Sequence, residues 1–307
     1  MRRINRTLCT AAPERYYLTT PVATVKPGET FIVEAETCGR PVIRGAGDVV
    51  KDDFWVRRET GPVYVDGIKK GDMVRIAIED ITVVGHATGE TRGVRRDGGR
   101  VVCEEIDFIE IKDGWAYMPG GLRMPVEPMI GVIYVTPDMH GGDIMMDGDL
   151  GDTGHNMDYR DIRAGNSLCL RARHDGALIG LGDLHAAQGW GEWAGVGAEC
   201  AGDVTLTVHR EDEWVSDRPI ILKHDAFVCI ASRNTYGDAV GLALNDAAAQ
   251  VTRLTGASEK NAGAYVRMAA HIMNGQNWHL SQPADKWKFY NMPVTVGAEV
   301  DLRGIRG

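Results

Sequence analysis

The chain has 307 residues, of which 43 are acidic and 34 are basic, so its formal net charge is −9. Hydrophobic residues make up 44% and charged residues 25%, which is typical of a soluble globular protein and excludes a largely disordered chain. The acidic balance argues against nucleic acid as a main partner. The apolar runs at 129–135 and 239–244 are far shorter than the ~20 residues of a membrane-spanning helix, so no membrane contact is expected.

The cysteines are expected to be free thiols in a reducing cytoplasm. They form neither a CxxC pair nor a tight cluster, and a chain of this length does not need disulfides for stability. No apolar segment follows the basic N-terminus, which argues against a secretory signal. The six cysteines are Cys9, Cys38, Cys103, Cys169, Cys200 and Cys229.

Short segments of alternating hydrophobicity dominate the first three quarters of the chain. In 73–81 the apolar residues alternate with polar ones, and 204–209 repeats this pattern, as expected for strands with one buried face. Turn signals separate such segments, among them the triplets at 60–62 and 70–72. Closely spaced short strands with Gly/Pro turns favour a sandwich or a barrel. Neither GxxxxGK[ST] nor a GxGxxG after a strand is present, so a nucleotide-binding loop is not indicated.

The pattern becomes helical near residue 237. Apolar residues at spacings of three and four predict a helix that begins near Asp238 and ends at Gly256. Ser258 is the predicted N-cap of a second helix that runs to Gly275, and the alternation of a strand returns at 292–302. The residues of the first apolar stripe are Val240, Leu244, Ala247, Val251 and Leu254.

The predicted architecture is therefore mainly β, of sandwich or barrel type. Residues 1–236 are expected to form a β-rich body that carries the functional site. Residues 237–307 are expected to form a smaller α/β section, with two helices and a closing strand, packed on that body.

One glycine-rich part of the chain concentrates side chains that bind metal ions. Residues 154–158 read GHNMD, and residues 182–192 read GDLHAAQGWGE. In a strand, Asp183 and His185 lie two residues apart and project from one face, where a carboxylate and an imidazole can bind one divalent cation. Asp158 from a neighbouring strand would be a third ligand, which leaves a position open for water, as in catalytic zinc sites. The alternative, from spacing alone, is that His185 is a core histidine.

Several sequence blocks resemble the acetamidase/formamidase family of amide hydrolases, in the order found in that family. The earlier blocks are 25–30 (VKPGET), 60–65 (TGPVYV), 70–72 (KGD) and 128–133 (PMIGVI). The strongest match joins 156–158 (NMD), 176–178 (GAL), 182–189 (GDLHAAQG) and 191–192 (GE). The resemblance covers most of the chain. It implies a β-rich fold, a divalent metal ion with zinc as first choice, hydrolysis of a short aliphatic amide, and a homo-oligomer.

Carried over to this chain, the family pattern assigns metal ligation to Asp158, Asp183 and His185. Glu192 matches an acidic residue of the family and is the candidate general base or an additional ligand. A bound Zn²⁺ lowers the pKa of its water from about 15.7 to about 7, and Glu192 would pass the proton of that water to the leaving amine. If none of this holds, Glu192 is a solvated surface charge.

Asn156 and Gln188 match polar positions of the family and are expected to orient a substrate amide. Many members read HGGNMD where this chain reads TGHNMD, so either the histidine has moved two places or His155 has replaced a glycine. Trp190 stands where the family's GDGE block has aspartate, which changes the size and the charge of the pocket. His155, Trp190 and the acidic Glu199 are therefore expected around the ligands, and the identity of the amide is left open.

Two other functions are compatible with the sequence. Cys169 or Cys200 could act as a nucleophile with a histidine partner, although reactivity requires a lowered thiol pKa. The Trp190 departure also fits a catalytically inactive β-sandwich binding module that retains a structural metal ion.

Overall fold

The computed structural model describes residues 1–6, 9–11, 20–37, 58–90, 106–138, 150–192, 195, 197–276 and 293–305. These residues form a mainly β fold with two helices near the C-terminus, which confirms the predicted fold class. The strands are β1 Arg2–Ile4, β2 Cys9–Ala11, β3 Ala23–Val25, β4 Thr30–Ala35, β5 Arg58–Val65, β6 Met73–Glu90, β7 Ile106–Lys112, β8 Trp115–Tyr117, β9 Arg123–Pro125, β10 Met129–Val135, β11 Leu150–Gly151, β12 Gly154–Asn156, β13 Ser167–Arg171, β14 Ile179–His185, β15 Glu199–Glu211, β16 Ile220–Leu222, β17 Ala226–Arg233, β18 His271–Asn274 and β19 Val294–Asp301. The helices are α1 Tyr236–Thr255 and α2 Glu259–Ala269, and a 3₁₀ turn lies at Pro119–Gly121.

The alternation in β6 and β15 has the predicted consequence. Val74, Ile76 and Ile78 on β6 are buried, and the neighbouring Arg75 and Glu79 are exposed. The two strands pair antiparallel over almost their whole lengths. Because side chains alternate between the two faces of a strand, this pairing gives one continuous apolar face.

Two sets of paired strands meet where β14 ends and β15 begins. One set joins β4, β15, β6, β13, β16, β17 and β19 in that order. The other joins β12, β10, β14 and β5. The pairs Leu184–Cys200 and His185–Glu199 connect them. The last residue of β14 and the first of β15 therefore lie side by side at this junction.

Helix α1 begins at Tyr236, two residues before the predicted start, and ends as predicted at the Gly256 cap. The Thr235 side chain accepts a hydrogen bond from the backbone N–H of Asp238, and Gly256 ends the helix in the left-handed conformation. The buried stripe differs from the predicted one, because Val240 and Leu244 are half-buried. The fully buried residues are instead Ala239, Ala243, Ala247, Gln250 and Val251.

Small side chains let α1 lie close to the sheet. The helix packs on β17 and β19 and beside α2. Ala243 and Ala247 share an apolar cluster with Phe227, Val266 and Val300. This cluster is separate from the main core, which lies between the strands of the body. The predicted division at residues 236 and 237 stays a prediction.

Two local predictions were wrong. Helix α2 ends at Ala269 rather than at Gly275, because His271–Asn274 form β18 and pair with β19. The triplet at 60–62 is not a turn: it lies inside β5, where pairing with β2, β3 and β14 keeps the backbone extended. Neither α1 nor α2 is long and apolar enough to cross a membrane.

Candidate active site

Five buried side chains of residue types that can bind a metal ion converge at the strand junction. Ligand atoms of Asp158, Asp183 and His185 all lie within 4.8 Å of one another, and so do those of His185, Glu192 and Glu199. None of the five residues is more than 6% exposed. The fold thus brings together the three residues predicted as ligands, the predicted base Glu192, and Glu199, the acid that was expected nearby.

Gly131 on β10 lies against both aspartates, of which Asp183 is on β14 and Asp158 follows β12. Gly131 and Asp183 lie between the antiparallel pairs Ile130–Leu184 and Val132–Gly182. A Cβ atom at Gly131 would be 2.5 Å from Asp158 Oδ1 and 3.1 Å from Asp183 Oδ2. Both carboxylates therefore occupy the space that a side chain at this position would fill.

The backbone is strained at three of the converging residues. Asp158, Asp183 and Glu192 have φ values of 42°, 55° and 41°, in the left-handed region that costs a non-glycine residue roughly 1–3 kcal/mol. Asp183 is therefore not in the regular strand conformation assumed from its spacing to His185. Its side chain nevertheless reaches the same cluster, since Oδ1 lies 3.6 Å from His185 Nε2.

Gln188 connects the imidazole to the backbone of Asp158. Its Nε2 donates to the Asp158 carbonyl oxygen at 2.6 Å, and its Oε1 lies 2.6 Å from His185 Nδ1. A carbonyl oxygen can only accept, so the amide nitrogen must face Asp158, and Oε1 must accept a proton from Nδ1. This hydrogen bond leaves Nε2 directed at the carboxylates. The predicted contact of Gln188 with a substrate amide stays a prediction.

The cluster has strongly perturbed proton affinities. Burial and the charges of Asp158, Glu199 and Asp183 raise the pKa of Glu192 well above its usual value, although His185 opposes this. Burial raises the pKa of Glu199 to about 7. Burial lowers the pKa of His185, but the charges and hydrogen bonds of Glu199 and Asp183 outweigh it and raise this pKa well above 6.5. Without a bound cation, the cluster therefore holds protons more tightly than the same groups do in water.

His155 has a different environment from the one expected. Its Nε2 lies 3.3 Å from Oε1 of Glu59, both residues are fully buried, and its ring contacts that of Tyr134. It belongs to neither group of converging ligands. Asn156 is also buried, and its Oδ1 accepts no hydrogen bond from the described residues. Its expected role in orienting an amide stays a prediction.

Trp190 lies at the solvent-exposed edge of the segment that carries Gln188 and Glu192. It is 37% exposed, and its ring meets that of the buried Tyr159 edge-on, with centroids 5.2 Å apart. Because Tyr159 follows Asp158 directly, this contact holds the indole beside the loop that carries one ligand.

The thiol alternative conflicts with the burial of the cysteines. Cys169, Cys200 and Cys229 are free and buried. Burial raises the pKa values of the Cys169 and Cys200 thiols, whereas a nucleophilic cysteine needs a lowered pKa. The Cys38 and Cys103 positions, and the Cys9 side chain, lie outside the described residues.

Comparisons with known proteins agree with this fold. The sequence model of the acetamidase/formamidase family matches residues 150–273, which include all five converging residues. The crystal structure of an acetamidase from Bacillus halodurans is 28% identical and superposes with a TM-score of 0.83, covering 98% of each chain. Part of the chain is thus similar in sequence to the acetamidase/formamidase family, and the whole chain resembles an acetamidase in fold.

Two further solved structures share this fold. A predicted acetamidase/formamidase from the thermophile Thermoanaerobacter tengcongensis is 27% identical and superposes with a TM-score of 0.82. The alignment covers 100% of this chain and 99% of that protein. An acetamidase from Yersinia enterocolitica shares the fold at 23% identity, with a TM-score of 0.76 and coverage of 94% and 88%. A search of curated proteins finds no match. The acetamidase/formamidase family supports amide hydrolysis as the general reaction.

Sequence reasoning missed three residues that shape this candidate site. Glu59 pairs with His155 but precedes the TGPVYV block without any motif of its own. Gly131 lies inside the PMIGVI block, yet only the fold shows that two carboxylates meet over it. A Cβ at Gly197 would lie 2.5 Å from His185 Nδ1, so this glycine lets the backbone pack against the imidazole. No spacing signal in the sequence indicates these contacts.

Proposed function

We propose that this protein hydrolyses a short aliphatic amide to a carboxylate and ammonia with the help of a divalent metal ion. The observation that carries the proposal is the convergence of Asp158, Asp183 and His185 within 4.8 Å in a buried cluster of the family-matched segment.

The donor set fits a divalent cation. Two carboxylates and one imidazole nitrogen are ligands that zinc accepts, and three protein ligands leave a position for water. The hydrogen bond between Gln188 and His185 fixes the imidazole in the orientation that metal-binding histidines need. When bound, such an ion lowers the pKa of a coordinated water from about 15.7 to about 7 and polarises the amide carbonyl.

Glu192 is the candidate for moving the proton. It is buried beside the same imidazole, and its pKa is raised well above its usual value, which is the direction expected for a carboxylate that acts as a general base. In the proposed reaction, the water oxygen forms a bond to the carbonyl carbon and Glu192 takes the proton. The C–N bond then breaks, and the proton leaves on the nitrogen as part of ammonia. Such proton transfer is worth ~10²–10⁴-fold in rate.

The test is to measure metal content and ammonia release from formamide, acetamide and larger aliphatic amides. We expect Asp183→Asn to lose both the ion and the activity. Asp212→Asn is a matched control, since this aspartate is 79% exposed, and it should keep both. A metal-free protein of undiminished activity would refute the proposal. Binding of amides without any ammonia release would favour the inactive binding module.

A further inference from the structure

We propose that the cluster holds two divalent cations, with Glu192 and Glu199 as ligands of the second. This inference rests on the metal site of the proposed function and changes the role of Glu192 from proton carrier to ligand.

The first reason is the grouping of the ligand atoms. The five side chains do not form one compact set but two triads, Asp158–Asp183–His185 and His185–Glu192–Glu199. Ions in two-metal sites lie about 3.5–4 Å apart, so two adjacent groups of ligand atoms are the arrangement expected for a pair of ions.

His185 itself can serve only one of the two ions. Its Nδ1 proton is committed to Gln188, which leaves the Nε2 lone pair alone for coordination. The second ion would therefore be held by Glu192 and Glu199, with water in its remaining positions. Carboxylate oxygens favour hard cations such as Mn²⁺, Mg²⁺ or Ca²⁺, which gives the chemical class of the second ion.

The second reason is charge. One divalent ion balances the two carboxylates of Asp158 and Asp183, and His185 is neutral when it binds a metal. Two buried carboxylates, Glu192 and Glu199, then remain. Within the described part of the chain, the ion pair of Glu199 is with His185, and neither glutamate pairs with an arginine or lysine. A second divalent cation would balance this charge, which is costly to bury alone.

The third reason is an uncommitted oxygen atom. Glu199 Oε1 accepts a hydrogen bond from the backbone N–H of Gly197 at 3.0 Å and lies 3.2 Å from His185 Nε2. Its other oxygen, Oε2, is buried and has no hydrogen-bond partner among the described residues. A buried acceptor left in this state costs about 1–3 kcal/mol, and coordination to a cation would remove that cost.

The experiment counts bound ions on the full chain. The protein is stripped of metal and titrated with Mn²⁺, and free Mn²⁺ is measured by electron paramagnetic resonance. We expect two ions per chain and a spectrum of two exchange-coupled Mn²⁺ ions. We expect Glu192→Gln and Glu199→Gln each to bind one ion and to lose the coupled spectrum. Asp212→Asn, in an exposed position just after β15, should still bind two.

Saturation of the unaltered protein at one ion would overturn the inference, whatever the variants do. The binding of two ions by the Glu192→Gln variant would also overturn the inference. If the protein and Glu192→Gln each bind one ion but only the former releases ammonia, Glu192 is the base, and the proposed function stands without the second ion. Retained ammonia release with no bound ion would overturn the proposed function instead.

Discussion

Single hydrogen bonds decide which atoms of the site can bind a cation. Gln188 is the clearest case, because its two amide atoms determine the tautomer of His185 and link it to the Asp158 backbone. A predicted substrate contact thus has a second, structural function. Partners that orient a ligand in this way typically contribute 10- to 100-fold to metal affinity, as an order of magnitude.

We therefore expect Gln188→Met to weaken metal binding about 10- to 100-fold while the fold is retained. Gln250→Met is the matched control, because Gln250 is also buried and also donates to a backbone carbonyl, that of Val215 at 2.8 Å. It should lower the free energy of unfolding by about 1–3 kcal/mol and leave metal affinity unchanged. Isothermal titration with Zn²⁺ and denaturant unfolding measure the two effects. Equal metal affinity in both variants would contradict the assigned role.

The second residue-scale feature is the missing side chain at Gly131. We expect Gly131→Ala to abolish metal binding, because its Cβ would come within 2.5 Å of Asp158 Oδ1 and must displace that carboxylate. Gly263→Ala serves as the comparison, since nothing lies within 4 Å of a Cβ on this residue of α2. It should raise the free energy of unfolding by roughly 0.5–1 kcal/mol and keep the ion. Metal analysis after dialysis measures the ion bound to each variant. Full metal content in Gly131→Ala would contradict the prediction and show that the carboxylates can move aside.

At the scale of elements, the two helices pack through alanines rather than through large side chains. Apolar residues at helical spacing predicted the position of α1 but not its most buried face. Ala239, Ala243 and Ala247 are fully buried, because only small side chains let the helix approach β17 and β19 closely. Ala243 and Ala247 belong to one apolar cluster and Ala239 to a smaller one, and both clusters are separate from the strand core that carries the site.

We expect Ala243→Leu to lower the free energy of unfolding by about 1–3 kcal/mol, because the added atoms overfill a packed interface. Ala249→Leu places the same substitution on the exposed side of α1 and should be nearly neutral. Urea unfolding followed by circular dichroism measures both. Both variants should keep metal content and ammonia release, and loss of metal from Ala243→Leu would mean that helix packing is coupled to the site.

At the scale of the whole molecule, the fold buries several acidic groups in its interior, and under the proposed function bound cations balance their charge. In the metal-free protein, the raised pKa values of Glu192 and Glu199 mean that the folded state binds protons more tightly than the unfolded chain. The raised pKa of His185 acts in the same direction. The folded state thus loses stability as pH rises above the unfolded carboxyl value, through the pKa of about 7 for Glu199.

The metal-free protein should therefore melt at a lower temperature at pH 8 than at pH 5.5. With Zn²⁺ at 100 times its dissociation constant, binding should add about 2.7 kcal/mol of stability and reverse this trend, since ligands must be deprotonated to bind. Thermal melts with chelator and with Zn²⁺ at both pH values measure this. Asp183→Asn should show no stabilisation by Zn²⁺. Melting curves of the original protein that do not respond to chelator would contradict the expected role of the ion.

Much of this protein was determined by its local sequence. Alternating residues specified β6 and β15, and the capping residues Thr235 and Gly256 set the ends of α1, because these features depend on near neighbours. The GDLHAAQG block at 182–189 was long enough to indicate the family. Helix α2 was predicted too long because the pairing of β18 with β19 is a long-range interaction that periodicity does not report.

The tertiary structure alone decided how the site is built. The pairing of β14 with β15 places His185 beside Glu199, the absent side chain of Gly131 makes room for two carboxylates, and Gln188 sets the imidazole tautomer. Each of these contacts joins residues from different strands or loops. A sequence can name the side chains that bind a cation, but the distances between them, and hence the number of ions they can hold, depend on how the strands pair in three dimensions.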